Sequence, residues 1–136
     1  MHRGVQTLIK DLNALYKATP ALYEVDFEPA GFGWIEGGDR ENSVVSFLRR
    51  GREAGDLAVF VCNFTPVVRH DYRIGVPEGG RYAEALNTDD PRYGGSGVNN
   101  AGSVLAGEVP AHGLPYSLSL TLPPLAAIVL KKASGL

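Results

Sequence analysis

The sequence predicts an all-β fold, an antiparallel β-sandwich of about eight short strands preceded by one N-terminal helix. Three observations carry this. From residue 33 onward, short runs of alternating or continuous apolar residues recur with turn signals every 8–12 residues. Glycine and proline are abundant, at 17 and 9 of 136 residues, with no periodic repeat, as many turns between short strands require. A 3.6-residue apolar period occurs once, at the front of the chain.

Residues 4–18 read as that helix. Val5, Leu8, Ile9, Leu12, Leu15 and Tyr16 form one apolar stripe, with Lys10, Asp11, Asn13, Ala14 and Lys17 opposite. Thr19-Pro20 ends it, because the residue before a proline avoids the α region. Residues 21–30 are a connector, with a short extended piece at 23–27. The strands follow: 33–36, turned by Gly37-Gly38-Asp39; 42–50, turned by 51–55; then Leu57 to Cys62. This last run is near-continuously apolar and predicts a strand buried on both faces. Pro66 cannot donate to a ladder and separates it from a more exposed strand over 67–76. Glu78-Gly79-Gly80 turns into a strand over 81–87. Residues 88–102 are polar and glycine-rich, too long for a hairpin, and of a length that often carries function or mobility. A weak strand over 103–109 leads to 116–122, whose Leu118, Leu120 and Leu122 alternate with hydroxyls. Pro123-Pro124 forms a corner before a last buried strand over 125–131. A lone helix with so wide a stripe needs a large partner. Either it packs on the sandwich or it belongs to something else.

Composition bounds the function. A length of 136 residues suits one domain that buries its own core without a disulfide or metal. Thirteen basic and fifteen acidic residues leave a net charge of −2, without charged blocks. This argues against nucleic acid and against an anionic membrane surface as partners. The single cysteine, Cys62, lies in the most buried strand and reads as a small core hydrophobe. It has no disulfide partner, which fits a reducing, cytoplasmic compartment. The N-terminus lacks the apolar core of a secretory signal, and no apolar run approaches the length of a bilayer.

Chemistry-bearing residues are sparse. His2 lies near the terminus and His112 in a turn. His70-Asp71 suggests a base with its orienting carboxylate, but strand neighbours point to opposite faces and do not converge. Asp89-Asp90 are adjacent acids in a turn, where carboxylates ordinarily cap backbone N–H groups. No metal-ligand spacing, phosphate-loop context or nucleophile elbow occurs, so no catalytic residue, metal site or cofactor is assigned. Trp34, Tyr93, Tyr23 and Tyr82 are the aromatics with stacking potential for a sugar or a partner. Trp34 also reads as core packing, and Tyr93 in the glycine-rich loop has the best prospect of exposure.

Several motifs in order carry a resemblance. Leu12-Asn13-Ala14-Leu15-Tyr16, Thr19-Pro20-Ala21-Leu22, Phe27-Glu28-Pro29-Ala30-Gly31-Phe32, Trp34-Ile35 and Asn42 to Phe47 are followed by Asn63-Phe64-Thr65-Pro66-Val67, Arg69-His70-Asp71-Tyr72-Arg73, Leu86-Asn87-Thr88-Asp89 and Ser117 to Ala126. Together they resemble the C-terminal end of bacterial 1,4-α-glucan (glycogen) branching enzymes, of the α-amylase-like glycoside hydrolases. The resemblance implies that residues 1–22 are the final helix of a (β/α)8 barrel and its exit, and 23–136 a C-terminal all-β domain. It implies a parent glycosyltransferase that cuts α-1,4-glucan and makes α-1,6 branches. That reaction is a retaining one run by an Asp nucleophile, a Glu acid/base and a second Asp at the barrel's strand ends. None of these residues lies in this chain, so the fragment is expected to be catalytically silent alone. The resemblance further implies the parent's barrel as partner and self-association of the isolated chain through its helix. The alternative is an independent α-glucan-binding module that uses Trp34 and Tyr93 as stacking platforms.

Overall fold

The computed structural model describes residues 2–18, 32–39, 43–51 and 57–132. The element order is α1 (His2–Ala18), β1 (Phe32–Asp39), β2 (Val44–Arg50), β3 (Leu57–Asn63), β4 (Arg69–Val76), β5 (Gly80–Asn87), a 3-10 turn (Pro91–Tyr93), β6 (Ser103–Ala106), β7 (Tyr116–Leu122) and β8 (Ala126–Lys132). The expected connector over 21–30, its extended piece and the expected boundary after residue 22 fall outside the described residues.

The strands form two antiparallel sheets. One has six strands in the order β1-β2-β3-β8-β5-β6, and the other is the pair β4-β7. Their facing surfaces make the core. In β2, Val44, Ser46 and Leu48 point inward, and in β3 Leu57, Val59 and Val61 do so. From the small sheet come Ile74, Val76, Leu118, Leu120 and Leu122, and from β8 come Ile128 and Leu130. The inward positions fall at every second residue because successive side chains alternate across a strand, and all but Ser46 of those named are apolar. Tyr82 fills the centre with zero exposure.

The structure corrects the reading of β3. Its inner face is fully buried, but among the described residues its outer face is fully buried only at Ala58. On the outer face Phe60 and Cys62 are half-buried. Phe60 stacks on Phe47 of β2, rings parallel to within 4° and centroids 4.9 Å apart. This cross-strand pair shields part of the outer face.

Other boundaries moved for local reasons. β1 continues through Gly37-Gly38 by means of register shifts on either side of Glu36. β4 begins at Arg69, since Pro66 keeps Val67 and Val68 out of the ladder. β6 stops at Ala106, and Gly107 then pairs with Ser117, so the chain crosses there from the large sheet to the small one.

Candidate functional site

The long segment after β5 is ordered around one carboxylate. Asp89 is buried. Its Oδ1 accepts the Ser96 N–H at 3.0 Å, and its Oδ2 accepts the Ser96 hydroxyl at 2.6 Å and the Val98 N–H at 2.9 Å. Its own N–H donates to Asn87 Oδ1 at 2.9 Å, and its carbonyl accepts Gly97 N–H at 2.8 Å. Burial opposes the charge, but the hydrogen bonds from Ser96, Val98 and Gly97 outweigh it and hold the carboxyl below the ordinary aspartate value. Gly95 passes so close to the Asp89 carbonyl that any Cβ there would collide with backbone. Asp90 caps the next turn, its Oδ1 accepting the Arg92 N–H at 2.9 Å, and Pro91 supplies the favoured first position.

That turn seats α1. The Tyr93 hydroxyl donates to Asp11 Oδ2 at 2.5 Å, and Arg92 lies 3.7 Å from the same oxygen. Gly4 faces the Tyr93 carbonyl so closely that a Cβ would lie 2.5 Å from it. A cleft of about 300 Å3 between helix and sheet is lined by Asp11, Ala14, Leu15, Leu86, Arg92 and Tyr93. Burial first, and then the Asp11 carboxylate, push the Tyr93 phenol up to about 12. Because the folded value is raised, the clamp contributes fully below about pH 10, the ordinary tyrosine value, and is lost as pH rises toward about 12. Tyr93→Phe should therefore loosen α1 by about 1–2 kcal/mol. It should speed amide exchange along 5–17 and abolish that alkaline limb, while leaving exchange in β3 and β8 unchanged. Gly4→Ala should have the same local signature with an intact phenol.

The clamp divides the apolar stripe that the sequence reads as one. At about 100° per residue, Gly4, Leu8, Asp11 and Leu15 fall within an arc of roughly 60°, and the three side chains are half-buried against the β domain. Ile9, Leu12 and Tyr16 lie further round the helix. Ile9 and Leu12 are 54% and 41% exposed, and Tyr16 is half exposed.

A second apolar surface lies at the β3–β4 and β7–β8 turns. Phe64 and Leu125 are 63% and 67% exposed. With Cys62, Thr88, Ala126 and Ala127 they line a groove of about 280 Å3. The backbone beneath is tied at several points. Asn63 Nδ2 donates to the Val67 and Pro123 carbonyls at 2.9 and 3.0 Å, and its Oδ1 accepts the Thr65 N–H and hydroxyl at 3.1 and 2.8 Å. Leu125 N–H donates to the Thr65 carbonyl at 2.8 Å, and Phe64 N–H to that of Ser43 at 3.0 Å. This network holds Leu125 at φ +46°, a left-handed conformation costing about 1–2 kcal/mol for a residue with a Cβ. Burial raises the Cys62 thiol above its ordinary value, so it stays a protonated apolar group.

The structure places the remaining sequence candidates as follows. Tyr82 is removed as a stacking residue: it is enclosed in the core, and its hydroxyl donates to the Glu78 carbonyl at 2.8 Å. Tyr93 sits half-buried against α1. The Trp34 backbone pairs with Phe47, and its side chain lies outside the described residues, as do Tyr23 and the His2 side chain. His70 and Asp71 are both exposed in a bulge where Asp71 takes φ +52°, so simple alternation does not govern them. His112 accepts the Gly75 N–H on Nδ1 at 3.0 Å, a structural role. Asp11, Gly4, Phe64 and Leu125 were not singled out from sequence. A small residue on the flank of the apolar stripe is the sequence signal that corresponds to the close approach of Gly4 to Tyr93.

The described residues thus form a two-sheet antiparallel sandwich, with a buried carboxylate organising one loop and exposed apolar residues gathered at a helix and at two turns. Residues 34–133 match the family described as alpha amylase, C-terminal all-beta domain, and the chain belongs to that family. It is 68% identical over 130 residues to the 1,4-alpha-glucan branching enzyme GlgB of Rubrobacter xylanophilus, covering 96% of this chain and 18% of that protein. The enzymes of the same name from Burkholderia pseudomallei and Aquifex aeolicus are 56% and 53% identical, over 97% and 96% of this chain and 18% and 21% of their own length. The chain thus spans about a fifth of the length of these relatives.

Proposed function

We propose that this chain is the C-terminal β domain of a 1,4-α-glucan branching enzyme, together with the last helix of its catalytic barrel, and that it braces the barrel without taking part in the chemistry. The parent would cut α-1,4-glucan and transfer the piece to a 6-hydroxyl during glycogen synthesis in the cytoplasm. The observation that supports this reading is the division of α1. One face is clamped to the β domain through Asp11 and Tyr93, and the other leaves Ile9 and Leu12 in water. A helix built to join two bodies has this form. The pure chain should leave the iodine colour of amylose unchanged, and any loss of colour refutes the silence of the fragment. Freed from the barrel, it should associate with itself as concentration rises. Strict monomer behaviour in sedimentation at high concentration, with α1 protected from exchange, refutes that. In the complete enzyme, Ile9→Lys with Leu12→Lys should lower thermal stability and activity together.

A second reading, glucan binding, draws on the cleft beside α1, where an aromatic ring, a guanidinium and a carboxylate stand together as sugar sites require. Trp34 is its other candidate. Titration with maltoheptaose tests it: binding lost in Tyr93→Ala or Trp34→Ala supports it, and no binding by the native chain removes it.

A further inference from the structure

We infer that the hairpin at residues 111–114 is a cover on the outer edge of β4, held shut by the His112 imidazole, and that the edge beneath pairs with the same edge of a second copy of this chain when the cover lifts. The small sheet has two strands, β4 and β7, and so two edges. The far edge of β7 is closed. Ser117 gives its N–H to the Gly107 carbonyl at 3.1 Å, and its own carbonyl accepts the Gly107 N–H at 2.8 Å. The Asn100 side chain takes the place of a strand residue, accepting the Thr121 N–H at 2.8 Å and donating to the Thr121 carbonyl at 3.0 Å. Ser117 lies opposite Gly75, and Ser119 opposite Arg73. Opposed residues of an antiparallel ladder alternate between bonding each other and facing away. Gly75 and Arg73 therefore aim their N–H groups outward, on an edge that no strand pairs with among the described residues.

The hairpin meets that edge at Gly75, whose N–H donates to His112 Nδ1 at 3.0 Å. It is a two-residue turn, closed by Ala111 N–H to the Leu114 carbonyl at 3.0 Å and Leu114 N–H to the Ala111 carbonyl at 2.8 Å, with His112 at φ +51° and Gly113 at φ +76°. It lies so close on β4 that a Cβ on Gly75 would collide with the Ala111 carbonyl. Half-buried Leu114 anchors it against the core. The turn itself does not require an imidazole, since a glycine would take the left-handed conformation more freely. What the imidazole supplies is an acceptor for the Gly75 donor. Without it, that stretch of edge is a template for another strand. The charges on β4 suit its own copy. Asp71 and Arg73 are both exposed, and about a two-fold axis at Tyr72 each Asp71 faces the other copy's Arg73. The guanidinium spends one donor on the Ser117 hydroxyl and has others left for that carboxylate.

The test is sedimentation of the chain carrying Ile9→Lys and Leu12→Lys, which removes association through α1, with and without His112→Gly. His112→Gly eases the turn and deletes the acceptor. The Gly75 amide should then exchange about fivefold faster or more, and a dimer should form as concentration rises. Arg73→Pro deletes the neighbouring outward N–H on the same edge, where a proline is tolerated, and should abolish that dimer. Leu114→Ser weakens the hairpin's anchor and leaves β4 unchanged. It should dimerise the chain by a second route, which keeps the test decisive even where His112→Gly fails to fold. An unchanged Gly75 amide in His112→Gly overturns the role of His112. A chain that stays monomeric in both variants, or a dimer that survives Arg73→Pro, overturns the pairing edge. A dimer already present before either hairpin variant, and dissolved by Arg73→Pro, shows the edge open beneath the hairpin and overturns the cover.

Discussion

Replacing Tyr82 by alanine should remove about 3–5 kcal/mol of folding stability and lower the unfolding temperature by roughly 10–15 °C. The ring is the largest fully buried side chain among the described residues, enclosed between the two sheets, and its removal leaves a void that rigid β-strands close poorly. The hydroxyl donates to the Glu78 carbonyl, and burial, followed by the Glu78 charge, raises the phenol far above its ordinary value. Tyr82→Phe isolates that hydrogen bond and should lose only about 1 kcal/mol. Thermal unfolding of the two variants checks the pair. A small loss in Tyr82→Ala, or a loss in Tyr82→Phe as large as that in Tyr82→Ala, would contradict this account of the core.

Asp89→Ala should be the most damaging polar substitution outside the core, costing about 3 kcal/mol. Three donors, the Ser96 N–H, the Ser96 hydroxyl and the Val98 N–H, converge on this carboxylate and would be left facing a void. The damage should spread from residues 88–98 to α1, because Arg92 and Tyr93 sit inside the segment that Asp89 organises. Amide exchange of α1 should rise in Asp89→Ala although no contact of the helix is deleted. The acid limb has a definite sign. The folded carboxyl lies below the unfolded value of about 4, so the charge-dependent stability is present above that pH and is lost as pH falls toward the folded value. Asp89→Asn lacks this term. Its stability should sit below that of the native chain at neutral pH and converge with it in acid, which chemical unfolding at a series of pH values measures.

Much of the sandwich is legible in the sequence because period two is a local property. Leu118, Leu120 and Leu122 announce their face without knowledge of any partner strand. The helix is equally plain. What cannot be read is how many layers cover a given face. The run Leu57 to Cys62 has the composition of a doubly buried strand, yet on its outer face, among the described residues, only Ala58 is fully buried, while Phe60 stacks on Phe47 and stays half-buried. The candidate site was less legible, because its residues are defined by long-range pairing. Asp11 and Tyr93 are 82 residues apart, and nothing in the character of either predicts the other. Leu125 follows two prolines and reads as the first residue of a core strand. Only the tie to the Thr65 carbonyl turns it into solvent.

The separation of Asp11 from Tyr93 also imposes an order in time. Synthesis at roughly 5–20 residues per second leaves an interval of about 4–16 s between the emergence of one and of the other. During that interval α1 has no loop to dock on, so its β-domain face is the last to be covered. The Tyr93 clamp then acts as a closing latch, set on a helix made long before its seat.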